Sequence, residues 1–500
     1  LSIPDSQRDT AALLARLAGR APIETHISAV FVGADTVWKL RKAVRLDFLD
    51  FSTLAERHRT AERELALNQA QAPGLYRDVV AVTQDADGRL ALGGEGATID
   101  WVVRMAPLPG ENFLDAIAAR DGISPALADA LGDAVAAYHA ALPQVARDQA
   151  AALHDVARGN ARSALAAGLD PAAVARWETD CLAALAARAD WLAARAAGGF
   201  VRRAHGDLHL GNMAMWHGHP VAFDALEFDE DLATIDLGYD LAFLLMDLDV
   251  RVGRLAANRV MNRYVARTGD WDSVRGLPVF LSLRAMVRAH VQARGGNQEA
   301  AAIYLARAQS YLAAAIPRVV AIGGLPGTGK STLARAVAPD LGPAPGALIL
   351  RSDEIRKRLY QVAPEVRLPA SAYGRTVSHQ VATALIAGVA GVAAHGHTVI
   401  ADATFLDLRQ RAAVAEAAGA APFTGLWLQA PMAVLEARIA ARHGDASDAD
   451  IAVLRQAASA DRIGDWRGPG DWRDPSDWRD IDATDLDRAL VLVRNALTPR

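Results

Sequence analysis

The sequence predicts two domains of mixed class: an α+β domain over residues 1–316, then an α/β domain over 317–500 whose parallel sheet is sandwiched by helices. Three observations carry that prediction. Five hundred residues are more than one ordinary hydrophobic core holds. Residues 1–105 mix short β-type runs with helices, and about 124–200 are alanine-rich and helical, without a motif. From Arg318 onward, buried-type strands alternate with glycine or acidic turns and helices. The boundary falls at Pro317, where an alanine-rich helix of about 298–315 ends.

Composition narrows the class. Apolar residues are 52% and charged residues 22% of the chain, as in a globular protein. The net charge is −5 with both signs interspersed, so no footprint for duplex nucleic acid is present. Cys181 is the single cysteine, and no Cys/His cluster has zinc spacing. A reducing cytoplasm fits. No apolar run reaches membrane-spanning length; the longest, Leu241 to Met246, is short and flanked by Asp240 and Asp247. The first residues are not a signal peptide. Neither a membrane nor duplex nucleic acid is expected as a partner, and oligomeric state is left open.

The elements follow in order. About 9–20 is an amphipathic helix. Val30-Phe31-Val32, Gly33-Ala34-Asp35 and Thr36-Val37-Trp38-Lys39-Leu40 read as strand, turn and strand. Alternation puts Val37, Lys39 and Arg41 on one face and Lys42 on the other. A helix from Thr53 to about Gln71 carries Glu56, Glu62 and Glu64. Asp100 to Met105 is an apolar strand, followed by Pro107 and Pro109.

The densest polar stretch is 205–224, HGDLHLGNMAMWHGHPVAFD. Asp207 and Asn212 sit in a loop broken by Gly206 and Gly211, and an apolar run then delivers Asp224. A carboxylate near a hydroxyl accepts its proton; an amide and a second carboxylate are the hard oxygen ligands that Mg²⁺ takes. A hairpin with a capped turn would explain the loop but not three such groups in order. The stretch resembles the catalytic segment of the aminoglycoside phosphotransferase family, relatives of the protein kinases. The resemblance implies a bilobal fold with a small lobe over about 1–105 and a helical large lobe over about 106–316. It implies Lys39 on ATP phosphates, with Lys42 the second choice, and Glu64 holding the lysine. Asp207 would act on the acceptor hydroxyl, with Asn212 and Asp224 on Mg²⁺. The adenine hinge would fall near 100–105. Two departures stand: the turn FVGADT replaces a glycine-rich loop, and Glu227 lies three rather than two residues after Asp224. Asp240 reads as a helix cap or a brace for the loop. Arg284 and Arg288, one turn apart, could grip an anionic substrate, though pairing with nearby carboxylates is the commoner outcome, and the acidic run 227–231 could equally favour a cationic one, so substrate charge stays open.

In the second domain Arg318 to Ile322 leads into Gly324-Leu325-Pro326-Gly327-Thr328-Gly329-Lys330-Ser331 and the helix opening at Thr332. This is a P-loop, G-x-x-x-x-G-K-S, between strand and helix, where backbone N–H groups converge on phosphates. Gly324, Gly327, Thr328, Gly329, Lys330, Ser331 and Thr332 are its candidate nucleotide contacts, and Ser331 also reaches Mg²⁺. Two further strands end in Asp353-Glu354-Ile355-Arg356 and in Asp402, where strand ends line the ligand crevice. The segment resembles P-loop kinases of the polynucleotide kinase, zeta toxin and gluconate kinase group. That resemblance implies Asp353 as base, Arg356 on the acceptor and Asp402 on Mg²⁺ through water. Of Arg438 and Arg442 on a later helix, Arg442 is chosen for the transferring phosphoryl group. Three Asp-Trp-Arg units over 465–480 read as a surface loop with one tryptophan anchored before the last strand.

Together the resemblances cover essentially the whole chain and resemble a bacterial two-domain fusion. The expected function is a bifunctional phosphotransferase using ATP and Mg²⁺ on small hydroxylated substrates. The alternative makes only the P-loop domain catalytic, with the first domain a nucleotide- or substrate-binding regulator.

Overall fold

The computed structural model describes residues 2–46, 49–441, 446–460 and 478–498. The chain divides into two compact units, one of 1–123, 137–151 and 189–244, the other of 124–136, 152–188 and 245–500.

The first unit is built on a six-stranded antiparallel sheet, in the order Ile23–Glu24, Ser28–Val32, Val37–Arg41, Ala97–Met105, Tyr76–Gln84, Leu90–Leu92. Phe31, Leu40, Val82 and Val102 pack on Leu14 of the amphipathic helix Arg8–Ala18. The helix Leu54–Asn68 is opened by Thr53, whose hydroxyl accepts from Glu56 N–H. Its Ala61 joins Leu75, Tyr76, Val103 and Phe223 in a second core cluster. The polar loop leads into the hairpin Met213–Trp216 with His219–Ala222.

The second unit holds a five-stranded parallel sheet, ordered Leu348–Arg351, Val399–Asp402, Val319–Gly324, Phe423–Gln429, Trp478–Asp482. The three strands Val319–Gly324, Leu348–Arg351 and Val399–Asp402 are buried throughout, as a sheet covered on both sides requires, whereas the edge strand Trp478–Asp482 is largely charged and exposed. Val320, Ile322, Leu333, Ile400, Leu426 and Val493 form its core. The outer edge of Leu348–Arg351 is closed by the helix Arg254–Thr268: Asn262 Oδ1 accepts from Ile349 N–H at 2.6 Å, and Asn258 Nδ2 donates to Ala347 O at 3.0 Å. A parallel sheet edge is thereby satisfied by side-chain amides rather than by another strand.

Among the described residues one helix, Arg375–Ala394, is long and apolar enough to cross a membrane by length and composition. It corrects the expectation that no stretch reaches spanning length: its apolarity is spread over Ala, Gly and Val instead of forming one strongly apolar run. Val381, Leu385, Val389 and Val392 are buried, and it packs against Leu348–Arg351 and Val399–Asp402. Trp478 begins the last strand, near Phe405 and Phe423, over a glycine surface where a Cβ on Gly425 would meet it at 2.3 Å. The rest of the Asp-Trp-Arg repeat, 465–477, lies outside the described residues.

Candidate active sites

In the first unit, strand alternation carries Lys39 and Arg41 to the same side, where both meet Glu64. Lys39 Nζ lies 2.7 Å from Glu64 Oε1 and 2.5 Å from Asp224 Oδ1. Arg41 bonds the other Glu64 oxygen at 2.5 Å and pairs with Glu227. Lys42 goes elsewhere, to Thr25 O and Glu24. Burial opposes the charge on Lys39, but Asp224 and Glu64 override it and hold its pKa above the ordinary lysine value. Burial likewise opposes ionisation of Asp224, and Lys39 overrides it, keeping that carboxyl below its usual range.

Asp224 has φ 60°, a left-handed conformation that aspartate tolerates better than most residues. Two contacts hold it there. Its N–H donates to Tyr76 Oη at 3.1 Å, and Ala225 N–H donates to Asn68 Oδ1 at 3.0 Å. Asp207 Oδ2 accepts from Asn212 Nδ2 at 2.8 Å, so the amide oxygen of Asn212 remains an available hard ligand. The loop is braced beneath: Asp240 accepts from Gly206 N–H at 2.9 Å and His205 N–H at 3.1 Å, and His139 Nε2 lies 3.2 Å from it. Asp240 sits inside the helix Leu237–Arg251 and braces the loop. His205 Nε2 is 3.0 Å from Phe223 O and so ties the loop to the strand end before Asp224. The structure thus brings Lys39, Glu64 and Asp224 together, and Asp207 with Asn212. Sequence reasoning missed Tyr76 and Asn68 and left Glu227 without a role. Asn68 was findable, since it follows Glu64 by four on one helix face.

In the second unit the loop glycines take positive φ, 139° at Gly324, 86° at Gly327 and 91° at Gly329. Lys330 opens the helix Lys330–Val337, and its Nζ reaches back to Gly324 O at 2.9 Å and Leu325 O at 3.0 Å. Thr328 is buried, its hydroxyl donating to Leu325 O at 2.8 Å. Ser331 Oγ donates to Asp402 Oδ2 at 2.6 Å, and Arg351, directly across the sheet register from Asp402, lies 3.3 Å from that oxygen. A serine hydroxyl beside a carboxylate is a donor set that fits Mg²⁺.

Asp353 is the second residue of the helix Ser352–Leu359, which Arg351 caps, so its carboxylate does not serve as the cap. Burial pushes its pKa up, opposed by Arg351, and Ser447 hydrogen-bonds it. Arg356 donates to Ala372 O at 2.7 Å, with its guanidinium over the Tyr373 ring at 4.7 Å. A cavity of about 640 Å³ gathers Lys330, Ser331, Thr332, Asp353, Arg356 and Asp402. Arg438 also lines it, held by Ala483 O and Thr484 O. Arg442, the residue chosen from sequence for the transferring charge, lies outside the described residues.

A strand lysine held by a helix glutamate, followed by a braced Asp/Asn loop and a further aspartate, defines a kinase-type phosphotransferase. The sequence profile of the phosphotransferase enzyme family matches residues 26–277, a little over half the chain, and this chain belongs to that family. An AAA domain profile matches residues 319–461. The chain is similar to an uncharacterized protein of Mycobacterium tuberculosis (strain H37Rv), 29% identical over 463 residues, covering 89% of this chain and 90% of that one. Among solved structures, a glucosamine kinase is 18% identical, with a TM-score of 0.37, covering 59% of this chain and 78% of its own. A gluconokinase from Sinorhizobium meliloti 1021 is 18% identical, with a TM-score of 0.23, covering 36% of this chain and 94% of its own.

Proposed function

We propose that the chain is a bifunctional ATP-dependent phosphotransferase, moving the γ-phosphate to hydroxyl groups of small molecules at two separate nucleotide sites. The observation that carries this reading is the presence of two unrelated phosphate-and-metal sets, each complete within one compact unit. One is Lys39–Glu64–Asp224 with Asp207 and Asn212; the other is Lys330 and Ser331 with Asp402. In each, the acceptor hydroxyl gives its proton to a carboxylate, Asp207 or Asp353. Its oxygen bonds the γ-phosphorus, and the bond to the β–γ bridging oxygen breaks, releasing ADP. Lys39 and Lys330 bind phosphate oxygens, and Arg356 orients the acceptor. Bound Mg²⁺ neutralises phosphate charge; Asn212 and Asp224 would hold it in the first site, Ser331 and Asp402 in the second. The reading assigns neither a membrane nor duplex nucleic acid as a partner, and a reducing cytoplasm as the setting.

One observation favours the narrower reading, in which only the P-loop unit transfers phosphate. The turn after Ser28–Val32 is tight, Gly33 N–H donating to Thr36 O at 2.9 Å, and its sequence, FVGADT, holds no glycine-rich loop to cover a nucleotide. Calorimetry of the full chain with Mg²⁺ and a non-hydrolysable ATP analogue tests whether both units bind nucleotide, which the bifunctional reading requires and a nucleotide-binding regulator would share. The expected stoichiometry is about two, falling to about one in Lys330→Ala. A value of one that Lys330→Ala leaves unchanged rejects the two-site proposal.

A further inference from the structure

The cavity around the P-loop has a wall that does not come from the parallel sheet. Asp129, from the helix Pro125–Ala141, and Arg259, from Arg254–Thr268, line it in the same compact unit as the P-loop. They form a closed fork: Arg259 Nε to Asp129 Oδ1 at 2.8 Å and Nη2 to Oδ2 at 2.6 Å. Both side chains remain about a third exposed, 29% for Arg259 and 34% for Asp129. The same pair lines an adjoining cleft with Asn262 and Arg335. Its helix cannot easily withdraw, because Asn258 and Asn262 pin it to the edge strand Leu348–Arg351.

Two facts about this pair point to a ligand class. A bidentate guanidinium–carboxylate pair carries no net charge, so it is a weak grip for a second anion. It does present N–H donors and carboxylate lone pairs side by side, which matches groups that donate and accept at once, namely hydroxyls. The P-loop, Ser331 and Asp402 would take up the triphosphate, and Asp129 and Arg259 line the same cavity as Asp353, whose remaining volume is left for an acceptor.

We propose that the Asp129–Arg259 pair reads hydroxyl groups of the acceptor in the P-loop cavity, and that this acceptor is a small neutral polyol. The inference rests on the P-loop unit being a kinase. It makes residues of the upstream helices specificity determinants of the downstream site.

The test uses the full chain carrying Asp207→Ala, so that ADP release reports the P-loop site. The probes are glycerol, erythritol, ribitol, glucose and myo-inositol. Gluconate, glycerol 3-phosphate, ethanolamine and nucleosides form the contrasting set. A neutral polyol should raise ADP release most. Asp129→Asn and Arg259→Gln should each raise KM for that polyol about tenfold or more, with KM for ATP changed by no more than about twofold. Arg259→Lys keeps the charge opposite Asp129 but loses the fork, so it should fold and still raise the polyol KM. A folded Arg259→Lys chain with an unchanged polyol KM overturns the inference. So does stimulation by the contrasting set alone, or a silent panel with slow basal release; these leave the kinase reading standing. Fast ADP release in buffer, indifferent to every probe, overturns the kinase reading of this unit as well.

Discussion

Lys39 and Arg41 leave one strand face and meet three carboxylates, Glu64, Asp224 and Glu227. Glu227 is pushed up to about 7 by burial, against the pull of Arg41 beside it. Buried charge is thus kept only where it is paired. His397 is handled the other way. It is 1% exposed, and its pKa is pushed down to about 4 by burial, against a hydrogen bond from Nε2 to Gly346 O and with Arg254 adding to the fall. A histidine held neutral binds fewer protons folded than unfolded. Its stabilising contribution is therefore complete above the unfolded pKa of about 6.5 and is lost as pH falls toward about 4. The expected loss is on the order of 3 kcal/mol across that window. Urea unfolding at several pH values checks it: His397→Gln should flatten the slope between those limits, and an unchanged slope places the acid sensitivity elsewhere.

At the scale of elements, the P-loop shows why its glycines are obligatory. Gly327 passes so close to the helix Met432–Ala440 that a Cβ would lie 2.8 Å from Leu435 O. At Gly329 it would lie 2.5 Å from Leu486 Cδ2, at a φ of 91° that side chains rarely adopt. Leu486 opens the helix Leu486–Leu497 and packs against the sheet core, and the φ at Gly329 strains any side chain there whether or not Leu486 shifts. Gly329→Ala should cost roughly 1–3 kcal/mol in local strain and weaken nucleotide binding at this site about tenfold or more. The first site should be untouched. Nucleotide titration of the full chain should lose the same binding event in Gly329→Ala as in Lys330→Ala; two intact events in the alanine variant would show that the loop tolerates a side chain.

At the scale of the chain, the edge strand Leu348–Arg351 is tied to an earlier helix: Ile349 N–H donates to Asn262, and Ala347 O, just before the strand, accepts from Asn258 and Asn262. Arg358 adds a bond to Ala266 O at 3.1 Å. Further along, Arg263 and Arg267 both engage Asp133 and Glu365, tying the stretch after Leu359 to the same helices. A fragment of 317–500 expressed alone would bare a parallel sheet edge and the groups that helix covers. It should unfold at lower temperature than the same unit in the full chain and self-associate, as uncapped edges do. Size exclusion and thermal unfolding test this, alongside Asn262→Ala in the full chain. That substitution strips Ile349 N–H of its acceptor and should cost about 1–3 kcal/mol. A monomeric fragment of undiminished stability would show that the helix is not part of the unit's foundation.

Local chemistry was legible in the sequence. The strand–loop–helix around Lys330, the Asp207–Asn212 loop and the face shared by Lys39 and Arg41 each follow from spacing and alternation, which act over a few residues. What spacing could not supply was partnership across long separations. Glu227 departs from the family's interval after Asp224, yet folding lays it against Arg41. Tyr76 and Asn68 hold the backbone around Asp224 from elements far back in the chain. The helix Arg254–Thr268 lies in sequence well before Pro317, while its asparagines bond to a downstream sheet edge and its arginines line a downstream cavity. Periodicity records which face of an element is apolar. Which surface that face meets is decided only when distant segments compete for the same buried space, and that competition is settled by packing and by the pairing of buried polar groups.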